Sequence, residues 1–251
     1  MGVLPPPTTV IRTPGEPYLS LEEPMPLPET ALIIGASGGL GAALADHLAD
    51  HGCRVLRRSR SVDGLDITDD ASVSVMAETL RKAGESPDWI LVATGALTVN
   101  GTPPERAFRY LDPEVMATSY AINAIGPALL FKHLAPLLPR SRPAVFAALS
   151  ARLASVGDNG LGGWMSYRAS KTALNQLLRC GSIEIRRRWP QAVVAGLHPG
   201  TVETDLSRPY ARGRYTASSA ESAAQLVAVL DGLTPEDTGA LFAYDGQRIP
   251  W

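Results

Sequence analysis

The amino-acid sequence predicts an α/β fold, a parallel sheet covered by helices on both faces. Three observations predict it. The run Ala31-Leu32-Ile33-Ile34 leads into a glycine cluster, Gly35-Ala36-Ser37-Gly38-Gly39-Leu40-Gly41, and then into a stretch where Leu40, Leu44 and Leu48 recur every four residues, the spacing that lines one helical face. From residue 29 onward, short apolar runs alternate with segments of helical period, the mark of repeated strand–helix units. Most of those runs are apolar throughout rather than alternating, as in parallel strands buried on both sides. Right-handed crossovers then give a single Rossmann-type, doubly wound sheet.

Taken in order, Ala31–Gly35 reads as the first strand and Gly39–His51 as a helix stopped by Gly52. Cys53–Leu56 reads as a strand, and Asp70–Ala83 as a helix with Val73, Met76, Ala77 and Leu80 on one face. Trp89–Ala93 is an apolar strand, and Pro113–Leu138 a helix bent near Gly126-Pro127. Ala144–Leu149 is a strand, and Trp164–Arg188 a long helix with Ala173, Leu174, Leu177 and Leu178 as core residues. Ala192–Leu197, Ser218–Leu233 and Ala240–Tyr244 complete the chain as strand, helix and strand. No linker interrupts residues 29–251, which read as one domain. Residues 1–28 hold eight of the 21 prolines, cannot sustain a helix or central strand, and read as an extended arm.

A net charge of −2 gives no reason to expect nucleic acid or an anionic membrane as partner. No apolar run approaches the roughly 18 residues of a spanning helix, and the N-terminus lacks the basic start and apolar core of a secretory signal. A soluble, cytoplasmic protein is expected. Cys53 and Cys180 read as two buried thiols, without the spacing of a metal site or disulfide framework.

The chemistry concentrates where ligands bind such sheets, beyond the carboxyl ends of the strands. Strand, glycine turn and helix N-terminus form an anion site, because glycines admit a pyrophosphate and free N–H groups point at it. Past the second strand come Arg57, Arg58, Ser59 and Arg60, with no carboxylate before Asp63. An acidic residue there would hold the ribose hydroxyl of NAD(H). Ser59 with Arg60 instead favours the 2′-phosphate of NADP(H), NAD(H) being the alternative, and a solvated basic edge is the bland reading. Asp66, in Leu65-Asp66-Ile67-Thr68, suits an adenine amino group or a helix cap. Tyr167 and Lys171 stand four residues apart at the start of the long helix, and so share a face. A fixed cation beside a phenol favours phenolate and lowers its pKa, which equips Tyr167 to pass a proton to or from a carbonyl oxygen.

In combination, the glycine turn, Asp66, Asn123, Tyr167/Lys171 and His198-Pro199-Gly200-Thr201-Val202-Glu203-Thr204 resemble the short-chain dehydrogenases/reductases over residues 29–251. Gly162–Lys171 and the ending Asp245–Trp251 narrow the likeness to the bacterial C-factor and sniffer-type carbonyl reductase group. The resemblance implies that Gly35, Ser37, Gly38, Gly39, Leu40 and Gly41 surround the pyrophosphate and its ribose, and that Asp66 and Ile67 hold the adenine. It implies Tyr167 as general acid-base, with Lys171 on the nicotinamide ribose. Asn123 would support a relay water, against the plainer reading of a helix-interior residue bonding a neighbouring carbonyl. Pro199, Gly200, Val202 and Thr204 would meet the nicotinamide, and Gly95 would keep a close approach to it. The segment Asp205–Ala217 would be the substrate lid, its Arg208, Arg212 and Arg214 facing either an acidic substrate or solvent, with Gly160–Met165 opposite. A homodimer or homotetramer is implied as well.

Two departures stand out. Val92-Ala93-Thr94-Gly95 replaces the family's Asn-Asn-Ala-Gly, and Leu149-Ser150-Ala151-Arg152 places alanine where its second serine polarises the substrate carbonyl. Side-chain alternation turns Ser150 away unless the strand end bends. Ser150 is the expected serine, with Ser155 behind it. The leading expectation is an NADP(H)-dependent oxidoreductase interconverting a carbonyl and a secondary alcohol. The alternatives are a cofactor-binding regulatory protein with little turnover, and an enzyme reducing an activated C=C bond.

Overall fold

The computed structural model describes residues 27–251, so the proline-rich arm lies outside the described residues except for Leu27 and Pro28. One seven-stranded sheet organises everything described. In chain order its strands are β1 (Thr30–Ile34), β2 (Arg54–Arg58), β3 (Trp89–Val92), β4 (Ala144–Leu149), β5 (Ala192–His198), β6 (Ala240–Ala243) and β7 (Arg248–Ile249). Their order across the sheet is β2-β1-β3-β4-β5-β6-β7, parallel except for the β6–β7 pair. The chain leaves β1 toward β2 and returns past it to β3, which makes the carboxyl ends of β1 and β3 the switch point.

Helices cover both faces. On one, α1 (Gly39–Asp50) and α8 (Ser219–Asp231) bury Leu40, Leu44, Leu48, Ala223, Leu226 and Leu230 against Ile33, Leu91, Val145 and Val193. On the other, α3 (Asp70–Lys82), α5 (Gly126–Leu134) and α6 (Met165–Arg186) pack on Leu32, Ile90, Phe146 and Val194. Val73, Met76, Ala77 and Leu80 are the buried face of α3, as the spacing predicts. Gly52, at φ +85°, ends the α1 turn, its N–H donating to Ala49 O. Ser218 and Glu221 cap α8 reciprocally.

Several expectations shift. β2 runs to Arg58 and lies on the sheet edge, where its charged residues remain hydrated. One helical turn, α2 (Arg60–Asp63), follows it directly. The predicted helix 113–138 divides into α4 (Pro113–Tyr120), a π-helical turn at Ala121–Ile125, α5 and a 3₁₀ turn. Its irregularity lies in the turn just before Gly126-Pro127, where the helix runs unbroken into Pro127 and proline both lacks the N–H and crowds the carbonyl four residues earlier. On α6, Leu174 and Leu178 are buried as expected, whereas Leu177 is exposed and Ala173 half-buried. Cys53 is buried and Cys180 exposed, on the outward face of α6. The antiparallel β7 was not expected; two residues are too short a pattern to read.

Candidate active site

A cavity of about 780 Å³ opens over the carboxyl ends of the strands. Its floor is the β1–α1 turn. Gly35 has φ +90°, and a Cβ there would stand 3.0 Å from Ala93 O; a Cβ on Gly41 would collide with Gly35 O, and one on Gly39 would meet Thr204 Cγ2 at 3.0 Å. These positions admit backbone or ligand and nothing larger. The α1 N-terminus carries no side-chain cap at Gly38 and no acidic residue in its first turn, so its N–H groups remain available to an anion. The cradle fits a dinucleotide phosphate. Thr94 Oγ1, buried beside it without a partner, is a further free polar group on the wall.

Ser37, Gly38, Gly39, Leu40, Gly41, Gly95, Tyr167 and Lys171 line this cavity, as do Pro199, Gly200, Val202 and Thr204 from the loop after β5. Gly35 lies just beneath. Asn123, fully buried in the π-helical turn, accepts from Ala96 N (2.8 Å) and donates to Ala96 O (2.9 Å) and Ser170 Oγ (3.1 Å). It ties the loop after β3 to α6, and the carbonyl it bonds is that of Ala96, 27 residues away, rather than a neighbouring one. A Cβ on Gly95 would lie 3.2 Å from Lys171 Nζ and 3.3 Å from Asn123 Oδ1, so glycine there lets the loop lie against both.

Four expected residues stand outside the cavity lining, near the β2 end. Ser59 is buried as the α2 N-cap, accepting from Val62 N, while its own N–H donates to Asp63 Oδ2 at 2.7 Å. The first carboxylate after the strand is thus brought close, because the α2 turn folds Asp63 back onto Ser59. Arg57 pairs with Asp46 (2.8 Å) and Arg58 with Asp63 (4.0 Å), both from within β2, whereas Arg60 is exposed. Asp66 accepts from Thr68 N and Oγ1, which hold its carboxyl below the usual range. Ile67 packs against Gly126, where a Cβ would stand 2.8 Å from Ile67 Cδ1.

Lys171 Nζ donates to Leu149 O at 2.8 Å. Burial brings its pKa down to about 8 and pushes the Tyr167 phenol up to about 12. The expected lowering at Tyr167 is thus reversed in the protein alone, because burial disfavours the charged form of each group. His198, lining the same wall, falls to about 4 through burial and then the nearby Arg152 charge, and its Nδ1 has no partner.

β4 does not bend at its end. Ser150 N continues the ladder to Leu197 O (2.7 Å), and Ser150 Oγ donates to Asn175 Oδ1 on α6 at 2.6 Å. Ser150 touches the cavity, but its hydroxyl is committed there, and Ala151 lies beside it on the wall. Ser155 Oγ accepts from Asp158 N and is not part of the lining.

Over the mouth sits α7 (Arg208–Ala211), inside the predicted lid segment. Its Tyr210 hydroxyl meets Thr98 Oγ1 at 2.5 Å, and its ring lies 5.5 Å from that of Trp164. Arg208 pairs with Asp205 at 2.7 Å, and of the three lid arginines only Arg214 lines the cavity. Trp164 alone represents the predicted Gly160–Met165 wall. Thr98 carried no local sequence signal, and Trp164 and Tyr210, though inside the predicted wall and lid segments, matter through partners distant in the chain.

Fold, glycine cradle and paired Tyr167/Lys171 together define a dinucleotide-dependent oxidoreductase. The chain belongs to the short-chain dehydrogenase family, whose model matches residues 29–214. It is similar to the C-signal protein of Myxococcus xanthus, 36% identical over 54% of this chain and 78% of that one, in keeping with the C-factor likeness. A carbonyl reductase from Pseudomonas aeruginosa superposes with TM-score 0.73 at 26% identity, over 89% of this chain and 100% of the other. A short-chain dehydrogenase/reductase from Burkholderia multivorans with bound NADP gives 0.72 at 25% identity, over 89% and 100%. The chain is accordingly an NAD(P)-dependent short-chain dehydrogenase/reductase acting on small molecules. No helix among the described residues is long and apolar enough to cross a membrane.

Proposed function

We propose that the protein interconverts a carbonyl and a secondary alcohol with NADP(H), and that Tyr167 is its general acid-base. One observation carries the reading: Tyr167 and Lys171 open onto the same cavity as the α1 N-terminus and the Pro199–Thr204 loop. The bound dinucleotide supplies or accepts the hydride. Gly35, Ser37, Gly38, Gly39, Leu40 and Gly41 hold its pyrophosphate side, and Lys171, Pro199, Gly200, Val202 and Thr204 its nicotinamide side. Asp66 and Ile67 are assigned the adenine. Ser59 and Arg60 mark the 2′-phosphate, with the exposed Arg60 bringing the positive charge; the NADP carried by the Burkholderia relative supports that preference.

With its pKa raised to about 12, the Tyr167 phenol is protonated throughout the neutral range. It is therefore a donor to a carbonyl oxygen on which charge develops. The Lys171 ammonium, one turn away, stabilises the phenolate left behind. Asn123 fixes the Gly95–Ala96 backbone against this pair, and Trp164, Leu97 and Tyr210 supply apolar surface at the mouth.

The test is NADPH oxidation across a panel of aldehydes and ketones, with Tyr167→Phe alongside. The variant should lose roughly 10²- to 10⁴-fold in kcat while binding NADPH as before. Unchanged turnover by the variant refutes the role of Tyr167.

A second reading, a cofactor-binding regulator with little turnover, is favoured by the Ser150–Asn175 bond and Ala151, which leave no free serine hydroxyl at the end of β4. The loss of one oxyanion donor at the end of β4 lowers rates by about 100-fold or more. NADPH binding without turnover of any panel member selects this reading.

A further inference from the structure

Resting on the assignment of Tyr167 as acid-base, we propose that Glu105 is a positioning residue, which holds the first turn of α6 and thereby sets where the Tyr167 phenol points.

The first turn of α6 cannot hold itself. Trp164, at its N-cap, has φ +53°, offers no side-chain cap, and follows Gly162 and Gly163 at φ +65° and +68°; the turn contains no acidic residue. Four N–H groups at a helix start have no partner in the helix, and an uncapped start frays. Glu105 supplies the missing cap from the loop after β3. Although only 5% exposed, its carboxylate accepts from Ser166 N (3.2 Å) and from Ser166 Oγ, and its backbone carbonyl accepts from Trp164 N at 2.5 Å. A carboxylate at a helix N-terminus is further stabilised by the helix dipole. Ser166 directly precedes Tyr167. On the other side Arg168 donates to Gly163 O (3.0 Å) and Leu153 O (3.1 Å), so Tyr167 is bracketed by two anchored neighbours. Lys171, a turn further on, has its own anchor in Leu149 O. Glu105 therefore bears on the phenol rather than on the cofactor cradle.

Glu105→Ala, Glu105→Gln, Ser166→Ala and Tyr167→Phe are compared by NADPH titration, by kcat and KM for one carbonyl substrate of the wild type, and by melting temperature. Glu105→Ala should lower kcat roughly 10- to 100-fold, the scale of a misplaced reacting group, with NADPH affinity and KM within about twofold of wild type. Glu105→Gln, whose amide can accept from Ser166 N and donate to Ser166 Oγ, should recover most of that loss. Ser166→Ala, which keeps one of the two bonds, should fall between them. Should Glu105→Ala not fold, Ser166→Ala and Glu105→Gln decide the matter: lowered kcat in the first with near-normal kcat in the second sustains the proposal. Wild-type kcat in both Glu105→Ala and Ser166→Ala overturns it, as does a loss of NADPH affinity that tracks the loss of kcat. Full activity in Tyr167→Phe overturns instead the assignment on which it rests.

Discussion

Tyr167 and Lys171 stand on one face of α6, yet burial moves their pKa values apart, to about 12 and about 8. The sign of the pH response follows. Reduction needs a protonated phenol and a charged ammonium. The phenol keeps its proton well above neutrality, so Lys171 titrates first, and carbonyl reduction should decline as pH rises through about 8; a pH–kcat/KM profile checks this. A profile flat to pH 10 would remove Lys171 from the chemistry. Arg60, exposed beyond β2, carries a second prediction. Arg60→Glu should weaken NADPH binding about tenfold or more and leave NADH nearly unaffected, as read by paired titrations. The residue types of the site were largely legible, because glycine spacing and an i, i+4 pair are local patterns. Ser150 was not: its hydroxyl is taken by Asn175, a partner 25 residues away. Nor was Glu105, whose role exists only once α6 has folded against it, 61 residues downstream.

At the level of elements, periodicity located most helices and strands and misjudged what contacts and hydrogen bonding decide. The buried face of α3 and the limits of β4 follow from spacing alone. The π-helical turn at Ala121–Ile125 does not, since an extra residue per turn leaves no mark in composition. Its effect is to aim Asn123 at Ala96. Asn123→Ala should therefore loosen the loop after β3, and faster hydrogen exchange at Gly95–Leu97 would report it. The β1–α1 turn is less forgiving. A methyl on Gly41 collides with Gly35 O, so Gly41→Ala should abolish measurable dinucleotide binding or prevent folding, which NADPH titration alongside circular dichroism distinguishes.

Across the whole molecule, the order β2-β1-β3-β4-β5-β6-β7 brings the glycine turn, α6 and the loop after β5 to one rim. Nucleotide binding there should stabilise the fold by mass action, by about 2.7 kcal/mol at a hundredfold excess over Kd, and so raise the melting temperature. We propose that residues 29–251 are the folding unit, so a chain starting at residue 27 should show the same NADPH-induced rise. The last residues reach this rim only through a neighbouring loop. β7 pairs with β6, and Trp251 O accepts from Gly157 N at 3.1 Å, on the loop that carries Arg152 and Leu153 to the cavity wall. Removing Trp251 would therefore take away the acceptor of the Gly157 N–H and leave the loop behind Arg152 and Leu153 with one tether fewer.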